Sequence, residues 1–140
     1  MSPLTNCSCF QSSYYLFFFL PLAPSTGADV AIVLDYATTP DNITQISTFT
    51  TSIIDELDIS PSGVRVALIT YGENAKIALK FNDLQDKQDS RDELKRFIST
   101  LPAMSGTPRI DRALQAAERK LFTTEAGSRP GVPKVTISVP

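Results

Sequence analysis

The stretch VAIVLDYATT, residues 30–39, is an apolar run that stops at Asp35 and continues into small hydroxyl residues. Aliphatic and β-branched side chains in unbroken succession predict a strand buried on both faces, as in a parallel sheet. In open α/β folds, the residues that follow such a strand lie at the carboxyl edge of the sheet, where ligands usually bind. Asp35 is therefore the first residue at which we look for function.

The overall composition is that of an ordinary globular chain. Its 140 residues are 42% hydrophobic and 20% charged, with a net charge of -2, which predicts a single folded domain. Acidic and basic residues interleave along the chain, so the charge pattern does not favour nucleic acid as a partner. The sequence contains no histidine, which excludes histidine-dependent catalytic triads and zinc–histidine sites.

Residues 1–27 differ from the rest because they contain no Lys, Arg, Asp or Glu. Within them, YYLFFFLPLA at residues 14–23 is a short apolar core, and small residues precede Ala28. We interpret residues 1–27 as a secretory signal peptide cleaved before Ala28, although the usual basic n-region is missing. The apolar run is shorter than the roughly 20 residues that span a bilayer, so we expect no transmembrane span. A buried strand or helix is the alternative.

Two further features bear on secretion. The only cysteines, Cys7 and Cys9, lie inside the predicted signal peptide, so the mature chain would contain none. Asn42 begins the tripeptide NIT, which is an N-glycosylation acceptor pattern if the chain enters the secretory pathway. Because such tripeptides also occur by chance, an unmodified Asn42 is the alternative. A second match, NCS at Asn6, lies in the segment that we expect to be removed.

From Ala28 onwards the pattern alternates between strands and helices. Strands are predicted at residues 28–34, 64–71, 75–81 and 134–139, and helices over residues 40–57, 91–101 and 110–122. The order β, α, β, β, α, α, β predicts an α/β fold with a doubly wound, mostly parallel sheet between helices. The short GEN loop after the second strand indicates a hairpin, so the third strand should be an antiparallel edge strand with Lys76 and Lys80 facing water.

Helical spacing also predicts which side chains cap the helices or face the core. Ser90 should cap the second helix. The third helix should bury one stripe of apolar side chains, formed by Ile110, Leu114, Ala117 and Leu121.

Two loops should meet at the carboxyl edge of this sheet, one after the first strand and one before the third helix. Both carry side-chain oxygens, which belong to Asp35, Thr38 and Thr39 in the first loop and to Ser105 and Thr107 in the second. One or two carboxylates combined with hydroxyls and water suit a hard cation such as Mg²⁺. The alternative involves no metal: Thr39 and Thr107 cap the first and third helices, at about 1 kcal/mol each.

Three separated stretches, DVAIVLDYATTPDNI, VRVALITYG and SGTPRIDRAL, resemble in order and spacing the von Willebrand factor type A domain of matrilins, collagen VI and the inserted domains of integrins. The resemblance covers residues 28–139, which makes residues 28–140 the amino-terminal part of such a domain, and it implies a doubly wound α/β sheet whose third strand is antiparallel. It also implies a secreted adhesion module, not an enzyme, that binds extracellular matrix or cell-surface proteins at the carboxyl ends of the strands.

The resemblance further implies a metal-ion-dependent adhesion site. In the family this site uses a first-strand Asp-x-Ser-x-Ser, a threonine from a later loop and an aspartate after the fourth strand. Asp35, Thr39 and Thr107 match three of these positions, but Ala37 replaces the first serine and the sequence reaches Pro140 where the last motif would begin. We therefore expect a degenerate site that binds Mg²⁺ or Mn²⁺ weakly.

Family members continue with further strands beyond this point, so we expect the sequence to be a fragment with an incomplete sheet. Its fourth strand, KVTISV at residues 134–139, would then be an exposed edge that invites self-association. A short natural product that needs a partner is the alternative.

Two other functions stay open. An intracellular type A scaffold would require residues 1–27 to be structural. A phosphate- or nucleotide-binding enzyme could use the backbone N–H groups of Gly106 and Thr107, in the segment SGTP at residues 105–108 before a helix. However, that segment lacks the spacing of a P-loop, no GxGxxG follows a strand, and no nucleophile with a nearby base is apparent. We expect no enzymatic activity.

Overall fold

The computed structural model describes residues 27–84 and 88–140. Apart from Gly27, the predicted signal peptide lies outside these residues. The described elements are β1 (Ala28–Asp35), α1 (Pro40–Glu56), β2 (Val64–Tyr71), β3 (Ala75–Leu79), α2 (Ser90–Ser99), α3 (Ile110–Ala116) and β4 (Lys134–Val139). In this part of the chain, no helix combines the length and the apolar character needed to cross a membrane.

The strands form one sheet in the order β3-β2-β1-β4. β1 is parallel to both of its neighbours, and β3 is antiparallel to β2. This confirms the predicted mostly parallel sheet with an antiparallel edge strand. β3 ends at Leu79 and not at Phe81 as predicted. Phe81 is nevertheless buried, and its ring centroid lies 5.6 Å from that of Phe122. The central position of β1 explains why its residues 30–34 are fully buried.

Helices cover both faces of the sheet. The larger core lies between the sheet and the helices α1 and α2, and the smaller one lies under α3. In α1, threonine hydroxyls are satisfied by carbonyl oxygens one turn earlier; the buried Thr50, for example, donates to Ile46 at 2.7 Å. Ser90 does not cap α2 as predicted: it is the first helical residue, and its hydroxyl donates to the carbonyl of Leu84 at 3.2 Å.

The buried stripe of α3 differs from the predicted one. Ala113, Ala117 and Leu121 are buried, whereas Ile110 and Leu114 are 38% and 45% exposed. After Ala116 the helix continues as a π-helical turn, Ala117–Leu121, and Leu121 packs in the smaller core together with Ala113 and Ala117. The two alanines let the helix lie close to the sheet. The prediction that Ile110 and Leu114 are core residues is therefore wrong.

A buried ion-pair network closes the amino end of the sheet. Asp29, the second residue of β1, is fully buried and accepts hydrogen bonds from Arg129 through Nε at 3.0 Å and Nη2 at 2.9 Å. The backbone N–H of Arg129 and the hydroxyl of Ser128 also donate to it, at 2.7 and 3.1 Å. Nη2 of Arg129 additionally reaches the carbonyl oxygen of Gly63 at 2.8 Å. This one arginine thus joins β1 to two loops.

β4 lies at an edge of the described sheet and pairs with β1. We expect the full chain to self-associate through the outer side of β4, because a strand edge offers free N–H and C=O groups to another chain. Thr136→Lys should weaken this association by placing a charge in mid-strand, whereas Thr48→Lys on the exposed face of α1 should leave it unchanged. Sedimentation velocity over a range of concentrations tests this, and a wild-type chain that stays monomeric throughout would contradict it.

Candidate metal-binding site at the carboxyl edge of the sheet

Asp35 is the last residue of β1 and is half-buried at the carboxyl edge of the sheet. Its Oδ1 accepts a hydrogen bond from the backbone N–H of Ala37 at 3.1 Å, which stabilises the turn after the strand. Asp35 is in register with Tyr71, the last residue of β2. The pKa of the Tyr71 phenol is raised, mainly by burial and to a smaller extent by the negative charge of Asp35. A hydrogen bond with Ser138 of β4 lowers this pKa and opposes part of the shift. The carboxylate therefore lies near the ends of three neighbouring strands.

The turn after β1 supplies two hydroxyl groups. Thr39 is the N-cap of α1, and its Oγ1 accepts a hydrogen bond from the backbone N–H of Asn42 at 3.3 Å. Thr38 Oγ1 accepts a second bond, from Nδ2 of Asn42 at 2.9 Å. The predicted capping role of Thr39 is confirmed. A hydroxyl oxygen has two lone pairs, so the capping bond alone does not prevent Thr39 from contacting a cation.

Main-chain hydrogen bonds hold the second loop, residues 102–109, against the first loop and against the turn between β2 and β3. The N–H of Met104 donates to the carbonyl of Tyr36 at 2.8 Å. The carbonyl of Ser105 accepts from the N–H of Glu73 at 2.9 Å, and the N–H of Arg109 donates to the carbonyl of Gly72 at 2.9 Å. The two loops line one open depression of about 280 Å³, formed by Ala37, Thr38, Thr39, Met104, Ser105 and Gly106. We call this depression and the neighbouring Asp35 the rim.

Thr107 follows Gly106 at the border of the rim and is exposed. The alternative in which it caps α3 is wrong, because the N-cap of α3 is Arg109. The side chain of Arg109 instead pairs with Asp111, through Nε at 3.0 Å and Nη2 at 2.8 Å. This pairing raises the pKa of Arg109 and lowers that of Asp111. The carboxylate of Asp111 is therefore already engaged beside the rim.

Glu73, in the turn between β2 and β3, also contributes to this edge. A Cβ atom at Gly106 would lie 2.6 Å from Cβ of Glu73 and 3.3 Å from its Oε2, and Gly106 has a φ of +85°. Only glycine fits this close approach without strain. In the sequence Glu73 stands out only as part of the GEN turn, although a turn after β2 must lie at the same edge as the end of β1 because those two strands are parallel. Glu73 thus adds a second carboxylate near the rim.

A larger groove opens beside the rim, between α1 and the end of β4. Its volume is about 510 Å³, and it is lined by Asp35, Thr38, Asn42, Gln45, Ile46, Phe49, Val139 and Pro140. Phe49 of α1 is 42% exposed there. The groove and the rim share Asp35 and Thr38 and adjoin along the first turn of α1.

The donor set at the rim suits a hard cation only in part. Asp35 supplies one carboxylate, whose Oδ1 already accepts an N–H, and Ala37 has no side-chain oxygen. Among the described residues, His, Cys, Asp and Glu side chains form no group of three or more that could hold a metal. Mg²⁺ usually keeps several waters and takes one or two carboxylates, so the chemistry of these residues fits a loosely held, largely hydrated ion.

Comparison with known proteins identifies a family that matches this chain. Residues 29–139 match the family described as von Willebrand factor type A domain. Matrilin-3 of Mus musculus is 34% identical over 120 residues, which are 82% of this chain and 24% of that protein. The chain thus spans about a quarter of the length of this relative.

Solved structures with the same fold include proximal thread matrix protein 1 from the mussel byssus. One crystal form has a TM-score of 0.72 at 16% identity and covers 81% of this chain and 30% of that one. Another, described as having a zinc occupied MIDAS motif, has a TM-score of 0.69 at 24% identity, covering 81% and 28%. Since the family match spans residues 29–139 and matrilin-3 is 34% identical over 82% of the chain, this chain belongs to the von Willebrand factor type A domain family.

Proposed function

We propose that this chain is an adhesive interaction module that binds an extracellular matrix or cell-surface protein at the rim. The observation that carries this proposal is the main-chain contact between the loop after β1 and the loop before α3, which brings Asp35 and several hydroxyls to one open edge. Membership in the type A family and the similarity to matrilin-3 support it. Binding, and not catalysis, is the role that we propose.

At this rim we propose that Asp35, Thr39 and Thr107 hold Mg²⁺ or Mn²⁺ weakly. A cation there would be coordinated by an acidic side chain of the partner. Asp35 provides the charge that attracts the ion, and Glu73 adds to the negative potential nearby. Thr39 and Thr107 provide neutral oxygens, one fixed by its place at the N-cap of α1 and the other in the loop before α3. Because Ala37 provides no oxygen, water completes the coordination, and the affinity is low.

Isothermal titration of the full chain with MgCl₂ and MnCl₂ tests the metal site. We expect weak, saturable heat with the wild type and none with Asp35→Ala. Ala37→Ser restores the missing hydroxyl and should strengthen binding about tenfold, which corresponds to about 1.4 kcal/mol and is the scale of one added bond to a charged group.

The matched control is Asp111→Ala, which removes a nearby exposed carboxylate that is engaged by Arg109. Its titration should equal that of the wild type. Circular dichroism should show that all variants are folded. Equal binding by the wild type and by Asp35→Ala would contradict the assignment, as would tight binding by the wild type, since the proposed donor set is too poor for that.

We also propose that the chain is secreted, with residues 1–27 as its signal peptide. Expression of the full chain in a eukaryotic secretory cell, followed by mass spectrometry of the medium, should detect a product that begins at Ala28. A soluble intracellular product that retains Met1 would contradict secretion and would favour an intracellular scaffold instead.

A further inference from the structure

We propose that Asn42 carries an N-linked oligosaccharide, which stands between the rim and the groove. This inference rests on the secretory part of the proposed function, because the modification takes place in the endoplasmic reticulum. Asn42-Ile43-Thr44 is an acceptor tripeptide, and in N-x-Ser/Thr patterns the middle residue must not be proline. Of the four asparagines, only Asn42 and Asn6 begin such a pattern.

The folded chain leaves this acceptor accessible. Asn42 and Thr44 are exposed and lie near the start of α1. A bulky, polar oligosaccharide needs a surface position, and a glycan on Asn42 would extend into water without displacing a core side chain. The residues of α1 that are buried against the sheet lie further along the helix, at Ile46, Thr50, Ile53 and Ile54.

The hydrogen bonds of Asn42 are compatible with the modification. The cap of α1 uses its backbone N–H, which donates to Thr39 Oγ1 and is not altered. The side-chain Nδ2 donates to Thr38 Oγ1 at 2.9 Å. An amide NH₂ has two N–H donors, and one of them remains after glycosylation. The attached sugar therefore starts at an atom held beside Thr38, which lines both the rim and the groove.

The transfer itself needs a single co-reactant, a lipid diphosphate-linked oligosaccharide. The bond that forms joins Nδ2 of Asn42 to C1 of the first sugar, and the bond that breaks joins C1 to the diphosphate oxygen. The lipid diphosphate leaves, one amide proton passes to a base, and no atom is oxidised or reduced. Since transfer occurs on the entering, unfolded chain, the helical conformation of residues 40–56 in the folded state does not hinder it.

The test is translation of the full chain, with a cleavable leader of established function added before Met1, in the presence of microsomes. Asn6→Gln is included throughout to remove the other acceptor. Only the protease-protected product is analysed. We expect one discrete increase in apparent mass, and removal of the glycan by an amidase should leave a carboxylate at position 42, which mass spectrometry identifies.

Three variants assign the increase to this site. Asn42→Gln and Thr44→Ala should abolish it, whereas Thr44→Ser, which keeps the acceptor pattern, should retain it. A protected chain with no increase, or an increase that persists in Asn42→Gln, would overturn the proposal. The same translation without the added leader tests secretion separately: a chain that is then unprotected contradicts the proposed signal peptide, while the result for Asn42 stands on the leader-bearing chain.

Discussion

Replacing Arg129 with alanine is expected to lower the free energy of unfolding by about 3–5 kcal/mol, because the carboxylate of Asp29 is left buried without its main counter-charge. Asp29 is 0% exposed, and Arg129 contacts it with two guanidinium nitrogens. Lys134 compensates little, since its Nζ lies 3.5 Å from Oδ2 of Asp29 and its side chain is 34% exposed. Urea unfolding of the full chain, followed by circular dichroism, measures the loss.

The control for Arg129→Ala is Lys95→Ala, which removes an exposed ion pair with Asp55 at 2.7 Å. Such pairs contribute about 0–1 kcal/mol, so little change is expected. Arg129→Lys provides a second test should the alanine variant fail to fold, because lysine keeps the charge but lacks the planar fork that contacts Asp29 and the carbonyl of Gly63 together. Its stability should fall between those of the wild type and the alanine variant. A loss below about 1 kcal/mol in Arg129→Ala would contradict the importance of the network.

Leu121→Ala should cost about 2–5 kcal/mol, as expected when a fully buried leucine is truncated and leaves a cavity. Leu121 is 0% exposed and packs in the smaller core. Leu114→Ala is the matched control, because Leu114 has the same side chain, lies in α3 and is 45% exposed. Its cost should stay near 0.5 kcal/mol or below.

The same unfolding experiment compares the two leucine variants. Similar losses in the free energy of unfolding for both variants would contradict the described set of buried side chains. They would favour the set that helical spacing predicts, in which Ile110 and Leu114 are buried. A large loss for Leu121→Ala alone would support the described set, in which Leu121 is buried and Leu114 is exposed.

The strands could be predicted from the sequence because each is marked by a local pattern of residues. β2 and β4 begin and end where the β-branched runs do, and the short loop after β2 predicted the antiparallel β3. The face of α3 could not be predicted this way. Ile110 and Leu114 are more hydrophobic than Ala113, so composition favoured them, whereas close packing on a sheet favours a small side chain.

The candidate site was predictable only where its residues lie next to a strand or helix boundary. Asp35 and Thr39 follow directly from the end of β1 and the start of α1. Glu73 was missed because its nearness to Gly106 depends on how two loops pack, which no local pattern encodes. The partner of Asp29 was missed for the same reason, since Arg129 lies 100 residues further along the chain. Whether Asp35, Thr39 and Thr107 act as ligands stays a prediction.

The three contacts that hold the loop before α3 in place are all made by peptide groups: Met104 to Tyr36, Glu73 to Ser105, and Arg109 to Gly72. Their geometry therefore hardly depends on which side chains those positions carry. The exceptions are Gly72 and Gly106, where an added Cβ would meet neighbouring atoms at 2.3 and 2.6 Å. Substitutions at Ala37, Thr38 and Thr107, whether natural or introduced in a laboratory library, can thus change which partner is recognised. The backbone geometry of the two loops would stay the same.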